Sequence, residues 1–279
     1  MVSAERFDAL SAGLAEGVRA RDGLIGLVLL GSASDEAFGR RDEWSDHDFF
    51  AIVEDGRGAE VRPDLSWLPD RDRIVLTARE GEIGFVAVYD DGHVFEFALS
   101  EAGELAGAVA GDATVVVDDE RGTTAALIER ARARAESADR FDPGNDVRLV
   151  LVKLLIGVGR VRRGEVLNGG QFIRQWAVQH LVRAIRGRFA EASGSLRDAI
   201  DPVRRFERDH PQWGARIAAA LERPAEDAAR ELLAFMREVL EPGWDAFPSR
   251  AADAVAQRLG WEAFRFLAVG SSRLPRRRA

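Results

Sequence analysis

The sequence predicts an α+β protein, with an N-terminal mixed β-sheet domain and flanking helices over residues 1–140, then an all-α helical-bundle domain over residues 141–279. Three observations predict it. Short apolar runs bounded by turn-forming residues recur through the first half, as buried strands do. Two of these runs are joined by Asp90-Asp91-Gly92, a strong hairpin signal between β-branched and aromatic flanks. Past about residue 120 the apolar spacing becomes that of helices, interrupted by Gly and Pro.

The elements follow in order. Residues 3–21 place Phe7, Leu10, Leu14 and Val18 at helical spacing. LIGLVLLG (24–31) is a near-continuous apolar run ended by glycine, the pattern of a buried strand. Ser32, Ser34 and Asp35 come next, each able to cap a short helix. HDFFAIVED (47–55) reads as the next strand, closed by the Glu54-Asp55-Gly56 turn. After a turn-rich stretch, IVLT (74–77), IGFVAVY (83–89), HVFEFALS (93–100) and TVVV (114–117) are strand candidates. ERGTTAALIERARARAESADR, from residue 120, is helical in period and propensity. FDPGND (141–146) breaks the chain, with Asn145 or Asp146 placed to cap the next helix. From there to about residue 265 helix dominates, broken near Gly164, Gly194, Pro202, Pro211, Pro224 and Pro242. The tail SSRLPRRRA reads as a short, basic, solvated terminus.

Composition limits the function classes. A net charge of −8 and a pI near 5.2 exclude a general polyanion binder, so no nucleic-acid partner is expected. A local basic cluster inside an acidic protein can still take a small anion. With no cysteine, the chain has no disulfide, thiolate metal site or cysteine nucleophile. The N-terminal stretch lacks the basic and apolar regions of a signal peptide, and the longest apolar run (149–159) is interrupted by Lys153. No membrane segment is expected, and the predicted location is cytoplasmic. Of the 39 Lys and Arg residues, Lys153 is the only lysine.

Three features of the first half can carry chemistry. Gly31-Ser32 ends a predicted buried strand, where glycine permits a sharp turn and the following N–H groups with the Ser32 hydroxyl can face an anion. Ser45-Asp46-His47-Asp48 opens the next strand, and residues two apart on a strand share a face. Asp46 and Asp48 can therefore converge on a hard divalent cation such as Mg²⁺, or they cap a turn at a polar strand entry. His47, by alternation, faces the other way and reads as a packed structural histidine. Glu96 stands on one face of its strand with Val94 and Ala98, while Phe95, Phe97 and Leu99 take the other. It is either solvated or aimed at something.

Gly31-Ser32, the Asp46/Asp48 pair and the later Glu96 together resemble the polymerase-beta-type nucleotidyltransferase superfamily. The helical second half makes the chain most similar to the antibiotic-modifying branch, the aminoglycoside and lincosamide nucleotidyltransferases. The resemblance covers residues 24–55 well and 83–100 moderately; beyond residue 140 it is architectural. Two departures are visible. The gap from Ser32 to Asp46 is longer than is common, and Asp-His-Asp replaces the frequent Asp-aliphatic-Asp.

The resemblance implies a two-domain enzyme moving a nucleoside monophosphate, AMP from ATP, to a hydroxyl of a small molecule, with release of pyrophosphate. It implies that Gly31 and Ser32 contact the triphosphate. Asp46 and Asp48 would hold one or two Mg²⁺ ions, with Glu96 as a third catalytic and metal-binding carboxylate. The acceptor it suggests is an aminoglycoside, a lincosamide or a similar hydroxylated compound, bound between the two halves. The alternatives are a transferase acting on RNA or protein, and a silent nucleotide-binding regulator or toxin-neutralising partner.

In the helical half, Lys153 sits among apolar residues and needs either an anionic ligand or a snorkelling path to water. Arg160 lies two turns further on, roughly on the same face, and Arg163 is close to it. The resemblance makes Lys153, with Arg160, a contact to the nucleotide phosphates. Phe172, Trp176 and His180 recur at helical spacing, which is either a core stripe or, with Gln171, Arg174 and Gln175, the lining of an acceptor pocket. The sequence leaves the oligomeric state open.

Overall fold

The computed structural model describes residues 3–138, 140–189, 197–198 and 200–261. The basic tail and the break at Gly194 lie outside the described residues. The chain divides into two compact units, Met1–Arg140 and Phe141–Ala279. The fold is α+β. No described helix is long and apolar enough to cross a membrane.

The first unit is built on a six-stranded mixed sheet in the order β3-β4-β5-β2-β1-β6. The strands are β1 Leu24–Leu30, β2 His47–Val53, β3 Ile74–Glu80, β4 Gly84–Tyr89, β5 Val94–Glu101 and β6 Ala113–Val117. Every strand expected from the apolar runs forms, with β3 extending beyond IVLT into the charged residues Arg79 and Glu80. β4 and β5 make the hairpin signalled by Asp90-Asp91-Gly92, with Gly92 at φ 84°, the left-handed conformation such a turn requires. All neighbouring pairs are antiparallel except β2–β5, which are parallel.

Helix α1 (Ala4–Ala20) starts at Ser3, whose hydroxyl accepts from the Arg6 N–H, a standard N-cap. Its predicted stripe of Phe7, Leu10, Leu14 and Val18 is buried against one sheet face, with Leu27, Leu29, Phe49, Phe95 and Phe97. Between β2 and β3 lies the single turn α2 (Gly58–Val61). Helix α3 (Thr123–Ala138) supplies Leu127, Ile128 and Ala131 to the opposite face, beneath Val28, Ile52 and Ala113.

The second unit is helical: α4 (Pro143–Arg162), α5 (Val166–Gln171), α6 (Val178–Arg188), α7 (Phe206–Asp209), α8 (Pro211–Leu221), α9 (Ala225–Leu240) and α10 (Ser249–Leu259). The cap of α4 is Asp142, which accepts from the Asn145 N–H, and neither Asn145 nor Asp146 has that role. Pro143 suits the first helical position, where its missing N–H has no partner to lose, so the helix begins before the residues expected to cap it. Asp146 is instead buried inside the first turn. One turn of π-helix, Phe172–Ala177, joins α5 to α6 without a break. The core of this unit includes Val150, Leu154, Ile173, Leu181, Leu232 and Met236.

Candidate active site at the strand ends

β1 and β2 run antiparallel, so the end of β1 lies beside the beginning of β2, and Leu30 is the register partner of Asp48. Gly31 follows directly at φ 49°. That is left-handed backbone, which glycine adopts without the penalty a Cβ incurs. A Cβ placed on Gly31 would stand 3.6 Å from Asp48 Oδ2, so turn and carboxylate are in van der Waals reach. The Gly31 N–H donates to the Asp112 carbonyl (3.0 Å) and the Ser34 hydroxyl to the Gly31 carbonyl (2.8 Å). The Ser32 hydroxyl donates to the Asp46 carbonyl (3.1 Å) and so ties the Gly-Ser turn to the strand entry.

The helix expected after this turn is reduced to 3-10 turns at Gly31–Ala33 and Asp35–Arg40. Ser34 caps neither of them through its side chain, because its hydroxyl is already bonded to the Gly31 carbonyl. Any anion site here belongs to the turn itself, without a helix dipole behind it.

Asp46 lies immediately before β2 and Asp48 within it, both partly exposed. The parallel pairing of β2 with β5 makes Asp48 the register partner of Glu96. Register partners on adjacent parallel strands project from the same face, with backbones about 4.8 Å apart. The structure thus brings Asp48 and Glu96 together from positions distant in sequence. Their face continues inward with Phe50, Ile52 and Ala98 above α3, whereas the Phe49 and Phe97 rings stack at 4.6 Å on the other. Glu96 itself is exposed. Among the described residues no three His, Asp or Glu side chains gather closely enough to form a metal-holding group. The donor chemistry still suits Mg²⁺, which takes only one or two carboxylates and completes its shell with water and phosphate oxygens.

His47, between the two aspartates, faces the opposite way, as alternation requires. It is fully buried and its ring stacks on Phe7 of α1 at 3.8 Å. Nε2 lies 2.8 Å from the Ser11 hydroxyl and Nδ1 lies 2.6 Å from His93 Nε2. Burial, with His93 and the Arg41 cation next in effect, holds its pKa down at about 2. Burial likewise lowers that of His93, against the pull of Asp91 and Asp46. This neutral pair anchors the start of β2 to α1 and fixes the direction in which Asp46 and Asp48 project.

Sequence reading missed Arg41. Its Nε donates to the Ser32 carbonyl (3.1 Å), its guanidinium lies over Phe7 at 4.1 Å, and it pairs with Asp8 of α1 at 2.8 Å. Nothing in the spacing singles it out, because two of its three partners, Phe7 and Asp8, come from α1.

Lys153 and Arg160 belong to the second unit. Lys153 Nζ lies 5.5 Å from the Phe172 ring centre and 5.4 Å from that of Trp176. Arg160 lies over the same Phe172 ring at 4.6 Å and donates to the Asn168 side-chain carbonyl. Arg163 pairs with Glu165. Arg174 donates to the Leu221 and Arg223 carbonyls and so closes the end of α8. In the aromatic stripe Phe172 is buried, while Trp176 and His180 are half-buried.

No protein-family model matches the chain, and no curated protein matches it in sequence. Among solved structures it is similar to the crystal structure of an aminoglycoside 6-adenyltransferase from Bacillus subtilis, with 11% identity, 90% of each chain covered and a TM-score of 0.25. At that identity and score the likeness fixes neither substrate nor reaction.

Proposed function

We propose that the protein is a Mg²⁺-dependent nucleotidyltransferase that moves a nucleoside monophosphate, AMP from ATP, to a hydroxyl of a small molecule. The observation that carries this reading is the β2–β5 register, which sets Asp48 beside Glu96 near the start of both central strands, next to the Gly31 turn. Carboxylates on one face of neighbouring strands are the donors a hard divalent cation takes. Asp46 and Asp48 would hold the ion, with Glu96 beside them, and when bound it would neutralise phosphate charge. Gly31, lacking a Cβ, lets a triphosphate approach the backbone, and Ser32 holds that turn against Asp46. Glu96, open to solvent, takes the proton as the acceptor O–H bond breaks. The freed oxygen bonds to the α-phosphorus, and the bond to pyrophosphate breaks. Antibiotics of the aminoglycoside or lincosamide kind are the acceptors the sequence resemblance suggests.

Calorimetric titration with ATP, GTP, CTP and UTP, with and without Mg²⁺, tests the site. One triphosphate should bind only with Mg²⁺, and Asp46→Asn or Asp48→Asn should abolish that binding. If a folded variant binds nucleotide as well as the parent does, the site is wrongly placed. The second reading is a silent nucleotide-binding regulator, which would bind the nucleotide at the same residues without turnover. Pyrophosphate release separates the two, because only a transferase loses turnover with Asp48→Asn.

A further inference from the structure

We infer that the α4–α6 face of the helical unit is the acceptor-binding surface and that its ligand is anionic, a hydroxylated ring compound bearing a phosphate or carboxylate. The assignment of that ligand as the acceptor rests on the transferase reading; its binding to this face does not.

Between Pro143 and Arg188 the chain carries nine basic residues and only two acidic ones, Asp146 and Glu165, within a protein of net charge −8. Both acids are already engaged by cations of the same unit. Lys153 and Arg160, two helical turns apart, converge on one buried ring, that of Phe172. Among the described residues neither has a carboxylate partner, and Arg160 is oriented by the neutral Asn168 amide. Two cations held on a common platform without a counter-charge repel each other, and an anion between them relieves that cost.

The same face continues from Trp176 to His180, one turn apart. Asp146 is 3% exposed, and its Oδ1 lies 2.8 Å from His180 Nδ1 and 3.3 Å from Arg183 Nε. The carboxylate takes the Nδ1–H, and in the neutral imidazole Nε2 is then an acceptor. Nε2 has no hydrogen-bond partner among the described residues and lies outside the set of buried unsatisfied atoms. The row therefore offers two cations, the edge of an indole ring and one acceptor atom for a hydroxyl. A polycationic aminoglycoside meets repulsion along the whole row.

The full chain is titrated with inorganic phosphate, glucose 6-phosphate, glucuronate and neomycin, in parallel with Lys153→Gln, Arg160→Gln, His180→Gln and Asp48→Asn. Circular dichroism verifies the fold of each variant. At least one anion should bind at millimolar concentration, and neomycin should not. Lys153→Gln and Arg160→Gln should each weaken the anion by about tenfold, as expected for loss of one charge-assisted hydrogen bond. His180→Gln should weaken the hydroxylated rings but leave inorganic phosphate unchanged, and Asp48→Asn should alter none of them. The proposal fails if no anion binds, if neomycin binds in preference, or if the glutamine variants bind the anions like the parent. It also fails if Mg-ATP displaces the anions and its own binding is lost in both Lys153→Gln and Asp48→Asn. The clamp would then belong to the donor.

Discussion

At the scale of single residues, His47 is the part of the site that alternation along a strand made legible, whereas its partners were not. The sequence shows that it must face away from Asp46 and Asp48, but not that His93, Ser11 and Phe7 wait on that side. Its folded pKa is depressed to about 2 and that of His93 is also lowered, chiefly by burial in each case. A histidine held neutral contributes full stability above its unfolded pKa, about 6.5. As pH falls below that value the unfolded chain binds protons that the folded one refuses, and stability is lost toward the folded pKa. Each such histidine tilts stability by about 1.4 kcal/mol per pH unit in that window. Urea unfolding in EDTA should show the midpoint falling steadily from pH 6.5 to 5, where few carboxylates titrate. A flat profile there would mean that the pair is not kept neutral by the fold. Glu96 makes the complementary case, because its exposed side chain contributes little packing. Glu96→Gln should leave stability within about 0.5 kcal/mol while pyrophosphate release falls about 10²-fold or more. An equal loss of both would mark Glu96 as structural.

At the scale of elements, the strands were readable but their neighbours were not. Apolar runs and the Asp-Gly turn locate β1, β2, β4, β5 and β6, since burial on a pleated surface leaves its mark in the sequence, whereas β3 is found by its β-branched residues and is largely exposed. The β2–β5 pairing joins segments more than forty residues apart in parallel, and no local pattern encodes such a crossover. For that reason Glu96 alone was ambiguous between a solvated face and a site. Helix starts show the converse limit: Asp142 takes the cap because Pro143 can open a helix, and Asn145 and Asp146 fall within its first turn. The close approach of α4 and α5 was equally hidden. Gly157 and Gly169 meet there, and a Cβ on Gly169 would stand 2.7 Å from the Gly157 carbonyl oxygen and 2.9 Å from the Val161 nitrogen. Those obstacles are backbone, which no rotamer change removes. Gly169→Ala should therefore lower stability by about 1–3 kcal/mol despite alanine's better helix propensity. Thermal unfolding of the variant measures this, and an unchanged or raised midpoint would show that the helices separate freely.

At the scale of the molecule, the change of apolar period near residue 120 and the Pro-Gly break at 141–146 mark where a sheet-based core gives way to a helical one. The cores respect that boundary. The first unit's buried apolar residues run from Phe7 to Ala135, and the second's run from Val147 to Trp261. Each unit is of ordinary domain length, long enough to bury a core of its own. Several polar groups of the second unit find partners within it: Asp142 caps α4, Arg174 closes α8, and Arg186 reaches Asp209 at 2.9 Å and the Pro202 carbonyl at 2.8 Å. Independent stability comes from these two properties together, a closed apolar core and internal partners for the buried charges. Residues 141–279 expressed alone should give a helical far-UV spectrum and one cooperative unfolding transition. Residues 1–140 alone should keep Mg²⁺-dependent nucleotide binding if the ends of the central strands by themselves make that site. A molten second unit, with a helical spectrum but no cooperative melt, would mean that its core does not close without the first unit. The α4–α6 face would then have to be tested only in the intact chain.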